Sequence, residues 1–103
     1  MRYRIVFDKP AEKDFRRLPE DVQQALALQI ARLAEEPRSV DSRKLKGTRD
    51  CYRIRQGDYR LVYTVFDDMV VIVILRVGHR GDVYRNIADV KQAIRKHAKQ
   101  MGQ

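Results

Sequence analysis

The chain has 103 residues, of which 44% are hydrophobic, enough for one domain (residues 1–103) that buries a core, and this excludes disorder as the default. A single cysteine cannot form an internal disulfide, no apolar run reaches the roughly 18 residues that cross a bilayer, and the N-terminus lacks the form of a signal peptide. We therefore expect a cytoplasmic protein with no membrane association, whose net charge of +8 favours a polyanionic partner such as nucleic acid.

The N-terminal part of the sequence predicts a strand followed by a helical hairpin. Residues 2–7 alternate between polar and apolar, with Tyr3, Ile5 and Phe7 on the apolar side. A helix follows, with Asp8 as its N-cap and Pro19 as its end. A second helix is predicted between Pro19 and Pro37. The apolar positions at helical spacing are Ala11, Phe15 and Leu18 in the first helix, and Val22, Ala25, Leu26, Ile30 and Leu33 in the second.

A polar connector is predicted for residues 38–50. Its basic side chains, Lys44, Lys46 and Arg49, could contact RNA, although a solvated loop is the more frequent meaning of such a segment. Arginine outnumbers lysine about two to one over the whole chain. The planar guanidinium matches phosphate oxygens in pairs, so this bias indicates phosphate recognition unless it reflects a basic genome-wide composition.

Three strands are predicted after the connector. Residues 51–56 alternate, which places Arg53 and Arg55 on the side of the strand opposite Tyr52 and Ile54. The dipeptide Gly57-Asp58 predicts a tight turn, and a second alternating strand then reaches Phe66. After a turn at Asp67-Asp68, the β-branched run from Val70 to Leu75 predicts an interior strand that is covered on both faces.

A last helix is predicted for residues 88–100. Its apolar side comprises Val90, Ala93, Ile94 and His97. The order β-α-α-β-β-β-α predicts an α+β domain in which a mostly antiparallel sheet has its helices packed on one side.

The residues able to carry chemistry are few. There is no phosphate-binding glycine loop and no cysteine–histidine cluster, so we predict neither a metal nor a cofactor, and Cys51 is expected to be buried and unreactive. The remaining candidates are Arg53, Arg55, Arg60, Arg80 and Tyr84, with His79 as the least certain. Because arginine keeps its proton, these residues suit a reaction whose transition state gathers negative charge on phosphate.

Cleavage of RNA by its own 2′-hydroxyl is such a reaction. It forms a dianionic phosphorane and needs no protein nucleophile. Tyr84 could stack on a base or take part in proton transfer, and His79 is the candidate with an ordinary pKa near neutrality. The alternatives are that the arginines are simply solvated, that His79 belongs to a turn, and that Tyr84 covers the core.

The same residues resemble a known family. The segments that carry the resemblance are Leu45-Lys46-Gly47, residues 52–55, residues 57–63, residues 77–80 and Asp82-Val83-Tyr84. They are similar to the RelE branch of the RelE/ParE toxin superfamily, and the resemblance covers essentially the whole chain. It implies a RelE-like fold and the toxin half of a type II toxin–antitoxin pair.

The resemblance also implies an activity and partners. Such toxins cut mRNA in the ribosomal A site, leave a 2′,3′-cyclic phosphate, use no metal, and form hetero-oligomers with an acidic RelB-like antitoxin. By position, Arg60 would stabilise the phosphorane, Arg80 would neutralise or protonate the leaving 5′-oxygen, and Tyr84 would orient the 2′-hydroxyl or stack on the codon.

One departure affects the general base. The best-known RelE pattern has lysines where this chain has Arg53 and Arg55, and lysine is more easily tuned towards general-base catalysis. The base therefore stays open. Two other functions remain as alternatives: a ParE-like inhibitor of DNA gyrase, and a non-catalytic RNA- or ribosome-binding module.

Overall fold

A five-stranded mixed sheet lies at the centre of the computed structural model, which describes residues 2–39, 41–45, 48, 50–81 and 87–100, with side chains of the last helix described for residues 92–99. In chain order the elements are β1 (Arg4–Phe7), α1 (Lys9–Arg16), α2 (Glu20–Glu35), β2 (Arg43–Lys44), β3 (Cys51–Gln56), β4 (Tyr59–Phe66), β5 (Val71–His79) and α3 (Ile87–Gln100). The strand order is β1-β5-β4-β3-β2, and only the β1–β5 pair is parallel among the described pairs. The predicted α+β class and the mostly antiparallel sheet are confirmed.

The helices cover both faces of the sheet. Leu26, Ile30 and Leu33 of α2 pack with Ile54 and Tyr63 on one face, which we call the hairpin face. On the other face, which we call the α3 face, Ala93 and Ile94 of α3 pack against a second core cluster. Its members are Cys51, Val62, Val71, Val73 and Leu75. The expectation that all helices lie on one side was therefore wrong for α3, because β5 is apolar on both faces and each face needs a cover.

One irregularity in β5 changes which way its side chains face. Val62 pairs with Arg76 and Tyr63 pairs with Ile74, so Leu75 is an extra residue in β5. Such a bulge shifts the alternation of the strand by one position. As a result Arg76 lies on the α3 face with its partner Val62, whereas a regular strand would place it beside Ile74 on the hairpin face.

The ends of α1 are held differently from the prediction. Asp8 occupies the N-cap position, but its side chain makes no capping hydrogen bond. Instead Asp8 Oδ1 lies 2.8 Å from Nε2 of His97 on α3, and both side chains are buried. At the other end, Gln23 Nε2 donates to the carbonyl oxygens of Arg16 and Leu18, so α2 satisfies the last carbonyl of α1 and one in the turn that follows it.

The predicted connector contains the short strand β2 and a polar cluster. Arg38 donates to both carboxylate oxygens of Asp67 (3.2 and 2.8 Å) and through Nε to the Tyr52 hydroxyl (2.8 Å). Tyr3 donates its hydroxyl to the same carboxylate at 2.8 Å. These hydrogen bonds lower the pKa of Asp67. The cluster joins the residue before β1, the connector and the predicted turn at Asp67-Asp68, which links β4 and β5.

Candidate functional site

The strand register gathers arginines on the α3 face, near the β3–β4 turn. Two neighbouring rows of directly paired residues run across the strands; the first is Arg43, Arg53, Val62 and Arg76, and the second is Arg55, Arg60 and Gly78. Rows two residues apart are separated by roughly 7 Å along the strands. We call these two rows the arginine rows. They form one basic surface beside the part of the face that α3 covers.

Arg60 is held in place by the turn at which the rows end. Its Nη1 donates to the carbonyl oxygens of Gly57 (2.8 Å) and Tyr59 (3.0 Å). Gly57 has a φ of 60°, a conformation that glycine adopts without strain, and this lets the two-residue turn close. A guanidinium has five N–H donors, so these two bonds fix its position while others remain for a ligand.

Arg53 is a half-buried member of the first arginine row. Its Nη1 is fully buried and has no hydrogen-bond partner among the described residues. A charged donor in that state costs free energy, of the order of 1–3 kcal/mol, unless an acceptor reaches it.

A cavity of about 460 Å³ extends from Arg53 along the edge of β3 beyond β2. Its charged lining consists of Arg32, Arg43, Arg53, Arg55 and Asp41. Gln29 of α2 closes one end, where its Nε2 donates to the Arg55 carbonyl at 3.0 Å and to Oε1 of Gln56 at 2.8 Å. Among the lining residues that the structure describes, four cations face one carboxylate, which makes this cavity attractive to a phosphate chain.

Arg80 and His79 occupy different sides of the sheet end. The Arg80 backbone N–H donates to the Asp58 carbonyl at 2.8 Å, which places exposed Arg80 beside the turn that anchors Arg60. His79 pairs with Tyr59, and their rings meet edge-to-face at 5.8 Å. Because Tyr59 alternates with Arg60, the His79 ring lies towards the hairpin face and away from the arginine rows.

The predicted site residues are therefore brought together in part. Arg53, Arg55 and Arg60 share the arginine rows, and Arg80 adjoins them. Lys44 pairs with Tyr52, and Arg43 pairs with Arg53, so Lys44 lies on the face of the sheet opposite to Arg53. Tyr84, Lys46 and Arg49 fall outside the described residues.

Two arginines of the rows were missed by sequence reasoning, Arg43 and Arg76. Arg43 pairs with Arg53 through a two-residue strand that no periodicity could reveal. Arg76 carried one signal in the sequence, a charge that interrupts the apolar run of β5. The face to which its side chain points, however, depends on the bulge.

The thiol of Cys51 takes no part in this surface. Cys51 is fully buried, and burial raises the pKa of its thiol to about 12, so it stays protonated, as expected for an unreactive thiol. Within the described ranges, no group of three or more His, Cys, Asp or Glu side chains is arranged to hold a metal ion. In the same part of the chain, every helix is too short or too polar to cross a membrane.

Comparison with known proteins gives this architecture a family. Residues 5–84 match the family model described as "ParE toxin of type II toxin-antitoxin system, parDE". The chain belongs to this family of type II toxin–antitoxin toxins.

Its relatives place it in the RelE branch. It is 40% identical over 88 residues to the "mRNA interferase toxin RelE" of Escherichia coli K12, covering 82% of this chain and 92% of that protein. A mutant of E. coli toxin RelE in the free state superposes with a TM-score of 0.78 at 33% identity, covering 91% of this chain and 99% of that one. The toxin in the intact E. coli RelBE toxin–antitoxin complex gives a TM-score of 0.69 at 37% identity, over 75% and 95% of the two chains. The predicted resemblance to RelE is confirmed.

Proposed function

We propose that this chain is the toxin of a type II toxin–antitoxin pair and cleaves mRNA in the ribosomal A site by attack of the 2′-hydroxyl on the adjacent phosphate. The observation that carries the proposal is the anchored guanidinium of Arg60, set between further arginines on an open surface. Support comes from the relative named as an mRNA interferase. The domain would comprise residues 1–103 and act in the cytoplasm.

The chemistry assigned to each side chain follows from where charge develops. Attack of the 2′-oxygen gives a phosphorane that bears two negative charges, and Arg60 stabilises it without having to reorganise. Arg80, beside the same turn, neutralises or protonates the departing 5′-oxygen. Tyr84 orients the 2′-hydroxyl or stacks on the codon. The 2′-hydroxyl gives up its proton to a general base, whose identity stays open; the bond from phosphorus to the 5′-oxygen breaks and that oxygen takes up a proton, which leaves a 2′,3′-cyclic phosphate and a 5′-hydroxyl.

The other arginines hold the substrate. Arg53 and Arg55 line the cavity beside β3, where they would bind backbone phosphates. Lys46 and Arg49 would extend this contact, whereas Lys44, on the other face of β2, would contact RNA outside this cavity. His79, the spare candidate for the general base, is turned towards Tyr59, so its ring would have to rotate to reach the 2′-hydroxyl. The reaction requires no metal, because the arginines supply the positive charge.

The proposed partner is an acidic RelB-like antitoxin. The structure of an intact toxin–antitoxin complex of the similar E. coli toxin supports it, and so does the net charge of +8. A strongly acidic segment would neutralise the arginine rows and so keep the toxin from RNA.

Inhibition of DNA gyrase is the alternative function, because the matched family model is described for ParE. The RelE relatives and the arginine rows argue for RNA cleavage instead, since a protein-directed inhibitor has no need of an anchored guanidinium on an open basic face.

The deciding experiment uses purified ribosomes programmed with a defined A-site codon. We expect codon-phased cuts by primer extension, a 2′,3′-cyclic phosphate at the upstream end, and an unchanged rate when chelator is added after the ribosome complexes have assembled. Arg60→Ala serves as the inactive control. Relaxed or trapped plasmid in a gyrase supercoiling assay, with uncut mRNA, would establish the alternative; a 3′-hydroxyl product would contradict the mechanism.

A further inference from the structure

Arg76 lies beside the proposed catalytic arginine although it belongs to the most apolar strand. The β5 bulge turns it to the α3 face, and its strand neighbour two residues on, Gly78, is the direct partner of Arg60. Arg76 and Arg60 are therefore diagonal neighbours on one face, at a separation of roughly 7–8 Å between their backbones. Gly78 carries no side chain, so no β5 side chain stands between the two arginines.

Arg76 also lines a second cavity, which the other members of the arginine rows do not line. This cavity has a volume of about 520 Å³ and lies between β5 and α3, next to the start of α1. Its polar lining consists of Arg76, Gln92, Lys96 and Asp8. Gln92 and Lys96 are exposed, whereas Asp8 is buried and engaged by His97 at 2.8 Å.

The charges of the described lining are not balanced. Neither Arg76 nor Lys96 has a hydrogen bond or an ion pair with any described residue, and Asp8, the one carboxylate among the lining residues that the structure describes, is already bound to His97. A guanidinium supplies a planar pair of donors and an ammonium supplies a point charge, and together they match the oxygens of a phosphate group.

We propose that Arg76 and Lys96 form a second phosphate-binding subsite, which takes a backbone phosphate of the mRNA adjacent to the cleaved one. Arg76 ends the first arginine row, and the cavity extends from it to Lys96 on α3. It rests on the proposed function and adds to it a substrate contact made by α3. The match to the family model ends at residue 84, so Lys96 would contribute its charge from a helix outside the matched range.

The proposed subsite binds the mRNA and takes no part in the cleavage step. Arg76→Gln and Lys96→Gln should each weaken binding to programmed ribosomes that carry a non-cleavable 2′-deoxy A-site codon, by roughly five- to tenfold. Each should also reduce the dependence of log affinity on log salt by about 0.7, the value for one phosphate contact on a single strand. The single-turnover cleavage rate at saturating protein should change by less than about twofold.

Three further variants make the experiment decisive. Lys13→Gln removes the same charge from an exposed position on α1 and should change nothing. Arg76→Lys keeps the charge at the half-buried position and should recover most of the binding, which separates loss of charge from loss of packing. Arg60→Ala should lose the cleavage rate and so reports on the catalytic surface itself.

The outcomes separate the subsite from the proposed function. If the wild type cleaves programmed ribosomes while Arg76→Gln and Lys96→Gln bind like Lys13→Gln, the subsite is wrong and the function stands. If the wild type neither binds nor cleaves, both are wrong. If the two variants lose affinity only for an acidic antitoxin, the cavity holds a carboxylate of that partner, and the mRNA subsite is overturned.

Discussion

At the scale of single residues, the anchoring of a guanidinium determines how it acts. Arg60 already donates to two turn carbonyls, so meeting a developing charge costs it little further conformational entropy. We expect Arg60→Ala to lower the single-turnover cleavage rate by about 10²–10³-fold, roughly 3–4 kcal/mol, with a much smaller change in ribosome affinity. Equal losses in rate and affinity would show that Arg60 binds substrate and has no special role in the transition state.

Arg53 is expected to behave in the opposite way. Its buried Nη1 has no partner among the described residues, so the folded protein carries a desolvated donor at this position. We expect Arg53→Met to leave the free energy of unfolding unchanged or to raise it by up to about 1 kcal/mol, while ribosome binding and its salt dependence fall. Urea titration measures the first effect; a clear loss of stability would mean that the guanidinium is satisfied in solution.

At the scale of secondary-structure elements, the cluster around Asp67 joins three segments that are distant in sequence. The Arg38 and Tyr3 hydrogen bonds lower the pKa of Asp67, so the folded state holds the carboxylate more readily than the unfolded chain does. This contribution is complete above the ordinary aspartate pKa, about 3.9, and is lost as the pH falls through the lower folded-state value.

We therefore expect Asp67→Asn to lower the thermal midpoint at pH 6 and to match the wild type progressively below about pH 4. The effect should be modest, because the carboxylate is half-exposed. Asp68→Asn, in the same turn, is the matched control. A difference between wild type and Asp67→Asn that stays constant down to pH 2 would assign the effect to turn conformation and not to charge.

Helix α3 is attached to the sheet by a small apolar contact and one buried polar pair. Ala93 and Ile94 supply the first, and His97 with Asp8 supplies the second at 2.8 Å. Removing one member leaves the other buried without its partner, which costs about 1–3 kcal/mol. We expect His97→Ala to speed amide exchange across residues 87–100 by roughly ten- to a hundredfold, with core strands unaffected. Lys99→Ala, on the exposed side, should leave exchange unchanged, and equal protection in all three proteins would contradict the role of the pair.

At the scale of the whole molecule, the excess of positive charge makes partner binding depend on salt. The net charge is +8, and much of it faces outwards from the arginine rows and the cavity beside β3. We expect the complex with an acidic antitoxin to weaken steeply between 50 and about 500 mM salt and yet to persist at physiological ionic strength. Titration calorimetry over a salt series measures this, and an affinity independent of salt would show that apolar burial alone holds the partner.

Local sequence patterns determined most of the fold, because they act through neighbouring residues. The period of two in residues 51–56 correctly assigned the side chains of Arg53 and Arg55 to one side of β3, and Gly57-Asp58 correctly placed the turn that follows. Both helices of the hairpin were located by their apolar stripes and by the prolines around them. The family resemblance depended on the same segments.

The tertiary structure decided what depends on partners far along the chain. The face of Arg76 follows from one extra residue in β5, which appears only in the pairing with β4, and the position of Arg43 follows from a two-residue strand that is too short to have a period. The burial of Asp8 depends on His97, 89 residues away. Local propensity has no information about such contacts, since their free energy is gained only when the sheet and α3 have come together.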